Sequence, residues 1–170
     1  MTRTAIYPGS FNPPTVAHLD LSIAVMEQRE VDVIVWSLSH ITLGKDLEGH
    51  PTVDERLQVL NAVAEDYAWL EVRVTHDQLL ADIAAGFDVL IMGADKWSQI
   101  NELEWYRSID ERDAAIAALP ELAIAPRPPH PVPAQFALRF ENNERVSSTA
   151  ARAGAHHLML PQARASGLWG

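Results

Sequence analysis

Apolar positions along this chain follow two alternating periods. Runs such as Val31–Trp36, interrupted only by Asp32, and Val89–Met92 have the length and dominant apolar character of strands covered on both faces, as in a parallel sheet. Between such runs the apolar residues recur every three or four positions, as in Val16, Leu19, Ile23 and Met26. That spacing is the stripe of an amphipathic helix. Read on this basis, the pattern predicts strands at Thr4–Tyr7, Val31–Trp36, Trp69–Val74, Phe87–Met92, Glu121–Ala125 and Gln135–Phe140. It predicts helices from Thr15 to about Gln28, Thr52 to about Glu65, Gln78 to Ala85, about Trp97 to Arg107, Glu111 to Leu119 and from Ser147 to Ala153. Thr52, with Glu55 three residues on, has the pattern of a capping box. Pro8–Pro14 reads as a turn and the Pro-rich stretch 126–133 as a surface loop, while residues 160–170 carry no clear signal. Strand–helix alternation of this kind predicts an α/β fold, a single Rossmann-like, doubly wound and mostly parallel sheet flanked by helices. No repeat and no linker divides the chain, so residues 1–170 are expected to form one domain.

Composition narrows the possibilities. The sequence lacks cysteine, which excludes disulfides, thiolate metal sites and a cysteine nucleophile and makes a reducing cytoplasm the expected compartment. The apolar runs are far too short to cross a membrane, and Met1–Tyr7 lacks the pattern of a signal peptide. A formal net charge of −10 argues against extended contact with nucleic acid. It also makes the scarce cations informative, the lysines being Lys45 and Lys96 alone. None of the histidines at 40, 50, 76, 130, 156 and 157 has carboxylate-supported metal spacing, so no protein metal site is expected.

The chemistry concentrates in Tyr7–Leu21, YPGSFNPPTVAHLDL. This stretch joins a buried strand to an amphipathic helix, where α/β folds bind nucleotides. Gly9 is expected to allow a tight turn. The N–H groups of Ser10 and Phe11 and the helix end near Thr15 suit an anion. Thr15 and His18, three apart on one helical face, are expected to point at a bound phosphate. A second polar helix start, Val146–Arg152 (VSSTAAR), offers Ser147, Ser148 and Thr149 as hydroxyl and N–H donors, with Arg152 one turn on from Ser148.

The G-S-F-x-P turn followed by T-x-x-H resembles the signature of the nucleotidylyltransferase superfamily, with Ala17 where a glycine is usual. The VSSTAAR segment is similar to that family's I-S-S-T-x-x-R motif. The resemblance implies transfer of an adenylyl group from ATP to a phosphate-bearing small molecule, with Mg²⁺ accompanying the ATP. It implies catalytic roles for His18, Lys45 and Arg152. ATP contacts are implied for Gly9, Ser10, Phe11, Thr15, His18, Ser147, Ser148, Thr149 and Arg152.

Two branches compete for the acceptor. The segment Gly49–Leu60, GHPTVDERLQVL, and the compact length are similar to phosphopantetheine adenylyltransferases. Their arginine-rich segment after the fourth strand is replaced here by Ile91–Trp97, IMGADKW. That G-A-D resembles the nicotinamide and nicotinate mononucleotide adenylyltransferases, which implies ATP contacts at Gly93 and Asp95 and a pyridine-stacking role for Trp105, ten residues beyond Asp95. The same resemblance implies acceptor contacts at Lys45, Trp69 and Arg127. Arg56 is assigned to packing or a surface pair. The pyridine mononucleotide, and hence NAD biosynthesis, is the expected acceptor branch; phosphopantetheine, for coenzyme A biosynthesis, is the alternative. A non-catalytic nucleotide-binding module is a third reading. Nucleic-acid and membrane partners are not expected, and homo-oligomerisation is left open.

Overall fold

A computed structural model describes residues 1–40, 49–141 and 146–170. Lys45 lies outside the described residues. The strands are β1 (Thr4–Gly9), β2 (Val33–Ser39), β3 (Leu70–Thr75), β4 (Val89–Gly93) and β5 (Glu121–Ala125), and the helices are α1 (Val16–Arg29), α2 (Val53–Glu65), α3 (Leu80–Ile83), α4 (Ala94–Ile100), α5 (Ile109–Ala117), α6 (Ser148–Arg152) and α7 (Pro161–Ser166). The strands form one sheet in the order β3-β2-β1-β4-β5, with every pairing parallel. The expected α/β, Rossmann-like sheet is therefore present.

Alternation along the strands sends successive side chains to opposite faces. Ala5, Val89 and Ile91 join one core with Leu21, Val25 and Trp36, while Ile6, Leu90 and Met92 join another with Ile83 and Ile124. Trp36 is fully buried, and its indole N–H donates to Ser22 Oγ at 3.0 Å. Ser22 Oγ in turn donates to the His18 carbonyl at 2.7 Å. Each such bond contributes about 1 kcal/mol net, and together they pin α1 to β2 directly beneath His18. A third, smaller cluster joins Val59 of α2 to Ala151 of α6 and Ala163 of α7.

Several local expectations change. The α1 stripe is wider than the predicted one: Val16, Leu19 and Met26 pack against the core as expected, Leu21, Ser22 and Val25 are buried more deeply, and of the predicted positions only Ile23 is exposed. The predicted 97–107 helix ends at Ile100, where Asn101 Nδ2 donates to the Trp97 carbonyl at 2.7 Å, and Leu103–Trp105 forms a separate 3₁₀ turn. Gln135–Phe140 is not a sixth strand. It meets β5 through one parallel bridge, Ile124–Ala137, because Phe136 N–H and Ala137 N–H both turn back to the Pro133 carbonyl. Residues 160–170, without a sequence signal, hold α7, which begins with Pro161 in the first helical turn, where proline is tolerated. The Thr52–Glu55 capping box forms as read: Glu55 N–H donates to Thr52 Oγ1 at 3.1 Å, and Thr52 N–H to Glu55 Oε1 at 3.2 Å.

Candidate active site

The strand order reverses between β1 and β4, and ligands of such sheets bind at that point, beyond the carboxyl ends of the strands. The register makes the opening concrete. β1 pairs with β4 only at Ala5–Val89 and Ile6–Leu90, whereas it follows β2 as far as Gly9–Leu38. Tyr7–Gly9 and Ile91–Gly93 therefore part company and leave a crevice between them. Tyr7 stands on its wall. Burial, and then the charge of Asp95, raise its phenol above the ordinary range, so Asp95 acts electrostatically on the first motif.

The chain leaves β1 by a turn that differs from the expected one. Gly9 is the last residue of the strand, and the left-handed residue is Phe11, with φ 44°. A non-glycine residue there costs roughly 1–2 kcal/mol. Phe11 offsets that by burying its ring, which stacks on Trp36 at 4.9 Å and 18°. Gly9 is needed for a different reason: a Cβ on it would lie 3.1 Å from the Phe11 ring.

His18 is held by its own helix start. Its Nδ1 accepts the Thr15 backbone N–H at 2.9 Å and lies 3.1 Å from Thr15 Oγ1. Nδ1 is thus an acceptor, so the neutral ring carries its proton on Nε2. Burial lowers the imidazole to about 4, which makes it a neutral N–H donor near pH 7. Thr15, itself buried, gives its N–H to His18. It is a positioning residue for the imidazole and does not present that N–H to a phosphate.

The second motif folds onto this loop. Ser147 caps α6 by accepting the Ala150 N–H at 3.0 Å. Ser148 Oγ donates to the Pro13 carbonyl at 2.8 Å. Arg152 donates through Nη1 to the Asn12 carbonyl and through Nη2 to Thr149 Oγ1 at 3.4 Å. Segments more than a hundred residues apart in sequence therefore share one loop at the mouth of the crevice.

With this geometry, residues 6–154 match the Cytidylyltransferase-like family. The chain belongs to that family. It is also similar to three enzymes named phosphopantetheine adenylyltransferase. The Leuconostoc citreum enzyme is 29% identical over 129 residues, covering 73% of this chain and 74% of that enzyme. The Rhizorhabdus wittichii enzyme is 30% identical over 90 residues, covering 53% and 51%. The Natranaerobius thermophilus enzyme is 36% identical over 72 residues, 41% of this chain, which thus spans only 40% of that relative's length. No helix among the described residues is long and apolar enough to cross a membrane.

The remaining expected site residues of this cytidylyltransferase-like chain are placed unevenly. Gly93 ends β4 and precedes α4, at the crevice, and a Cβ on it would lie 2.7 Å from Asp95 Oδ1. The carboxylate thus folds over the start of α4. Asp95 and Arg127 face each other at 4.0 Å with exposed side chains, so Arg127 stands beside the crevice at the end of β5. Trp105 lies beyond α4 with 58% of its surface exposed. Trp69 is not at the site. It precedes Leu70, which pairs with Ile34 at the amino edge of the sheet, whereas Leu38 pairs with Gly9 at the carboxyl edge. At about 3.3 Å per residue the two edges are about 13 Å apart. Trp69 instead packs on Tyr67 at 5.4 Å.

The sequence assigns Arg56 only to packing or a surface pair and gives Asn12 and Trp169 no role. Arg56 is 1% exposed, which rules out a surface pair and leaves the packing role. Its guanidinium donates to the Ser10 carbonyl at 2.6 Å and to the Pro51 carbonyl at 3.2 Å, tying the loop after β1 to α2. Asn12 lies within the Tyr7–Leu21 stretch, but nothing local marks its partners. Trp169 gave no signal at all.

Proposed function

We propose that this chain is a nucleotidyltransferase that joins the adenylyl group of ATP to the phosphate of a small acceptor and releases pyrophosphate. The observation that carries the reading is the convergence of two strand-to-helix motifs on residues 12–15, with His18 beside them. In the reaction an acceptor phosphate oxygen attacks the α-phosphorus of ATP. A new P–O bond forms as the bond to the bridging oxygen breaks, and pyrophosphate leaves with the electron pair. The attacking oxygen is already anionic, so the chain needs neither a covalent intermediate nor a strong base. Its work is alignment and charge stabilisation. His18 would donate Nε2–H to an equatorial oxygen, and Lys45 and Arg152 would add positive charge. Among the described residues no group of three or more His, Asp or Glu gathers to hold a metal. A resident metal site does not fit them, and Mg²⁺ would enter on the triphosphate.

Phosphopantetheine is the acceptor we favour, supported by the names of the similar enzymes and by the Gly49–Leu60 segment. A pyridine mononucleotide is the second reading. It is supported by Gly93–Asp95 at the crevice, but has lost Trp69. Pyrophosphate release from ATP and from CTP, measured in parallel with phosphopantetheine, nicotinamide mononucleotide and nicotinate mononucleotide, tests both. Release with a mononucleotide alone would reverse the order. ATP binding without release in any arm would favour a non-catalytic module.

A further inference from the structure

Asn12 is 3% exposed and stands between three partners. Its carbonyl accepts Arg152, its side-chain oxygen accepts the Trp169 indole N–H at 2.7 Å, and its amide nitrogen lies 2.8 Å from His50 Nδ1. Hydrogen-bond chemistry orders this chain in one direction. An indole N–H can only donate, so the amide oxygen must face Trp169. The amide nitrogen then faces His50 and can only donate, so His50 Nδ1 must be a bare acceptor. The neutral His50 ring therefore carries its proton on Nε2. Flipping the amide would set two donors against each other at Trp169.

We propose that Trp169 is a positioning residue for the site: through Asn12 it fixes the proton of His50 on Nε2 and makes that imidazole a donor to substrate phosphate oxygens. The nature of the ligand rests on the nucleotidyltransferase reading; the network does not. Trp169 packs with the cluster of Val59, Ala151 and Met159, and so is held by α2 and α6, the helices that carry Arg56 and Arg152. His50 stands just before Thr52, the cap of α2. The arrangement repeats that of His18, whose Nδ1 is likewise occupied, by the Thr15 N–H. Two imidazoles that bond to one loop, at Asn12 and at Thr15, thus keep Nδ1 engaged and Nε2 protonated.

Long-range ¹H–¹⁵N correlation on histidine-labelled protein reads which ring nitrogen is protonated, with His50→Gln assigning the signal. In the unliganded wild type near pH 8, His50 is expected to show a protonated Nε2 and a bare Nδ1. Trp169→Phe keeps an aromatic ring, removes the donor and should move His50 toward mixed tautomers. Asn12→Asp turns the group facing His50 into an acceptor and should draw the proton to Nδ1. Titrated inorganic pyrophosphate should shift the His50 Nε2–H resonance, with an affinity about fivefold weaker in Trp169→Phe, the scale of one hydrogen bond. A wild-type proton on Nδ1, or a tautomer unchanged by both substitutions, overturns the network. A network that behaves as expected while pyrophosphate leaves His50 unmoved overturns the phosphate role. Absence of transfer to any acceptor, with the His50 responses intact, counts against the proposed function and leaves this inference standing.

Discussion

Under the proposed function His18 has two roles, a helix cap and a donor to the reacting phosphate, and two substitutions separate them. Nδ1 closes the α1 cap on the Thr15 N–H at 2.9 Å, while the ring packs on Phe11 at 4.8 Å and keeps its proton on Nε2. His18→Ala removes both. Loss of a cap costs about 1 kcal/mol, and the lost ring contacts bring the expected fall in stability to about 2 kcal/mol. His18→Gln places glutamine at the third helical position, where a capping box uses it. It should therefore keep most of the cap and cost under about 1 kcal/mol. A glutamine bent back onto Thr15 cannot also donate where Nε2–H does. Both variants should then lose about 10²–10³ in kcat, the scale of one lost charge-stabilising donor, or roughly 2.7–4 kcal/mol. The assay is pyrophosphate release at saturating ATP and acceptor, with urea unfolding in parallel. Near-normal turnover in His18→Gln, with instability confined to His18→Ala, would refute the catalytic role and leave His18 a helix cap.

The lowered imidazole also makes stability depend on pH. His18 titrates near 4 when folded and near 6.5 when unfolded, so between those values the unfolded chain binds more protons and stability falls as the pH drops. The loss is at most about 3 kcal/mol, and less because the His18 residue is half-buried and solvent screens it; it should vanish in His18→Gln, and equal acid sensitivity in both proteins would contradict it. Arg152→Ala, which frees the Asn12 carbonyl, should weaken ATP binding and slow transfer together; a change confined to the acceptor KM would assign the second motif to the other substrate. Trp69→Ala should lower stability by about 2 kcal/mol, since the ring is half-buried packing, and leave every KM unchanged. Under the pyridine reading, Trp105→Ala should leave stability intact and raise the mononucleotide KM by roughly 2- to 30-fold with the ATP KM unchanged. No change in any KM would remove Trp105 from the site.

The α/β class, four of the five strands within about two residues at each end, the Thr52–Glu55 cap and the helix starts at Thr15 and Ser147 were legible along the chain. Each rests on a local rule: alternation of periods, a cap read three residues ahead, or a turn chemistry written in consecutive residues. The family was legible for the same reason. What the sequence could not supply is whatever depends on which distant groups meet. Gly9 looked like the turn residue, yet the left-handed turn falls at Phe11, because Trp36 from the neighbouring strand provides a ring to stack on. Gln135–Phe140 had the apolar pattern of a strand, but pairing depends on the backbone direction that the Pro133 turn imposes. Trp69 looked like a candidate ring for the site until parallel registration set it at the other edge of the sheet. Thr15 and His18 were read as two phosphate ligands side by side; in three dimensions one of them positions the other. Asn12, Arg56 and Trp169 gave no local signal, since their roles consist of hydrogen bonds across 140, 46 and 157 residues of chain. Periodicity records which face of an element is buried, and only packing decides which donor finds which acceptor.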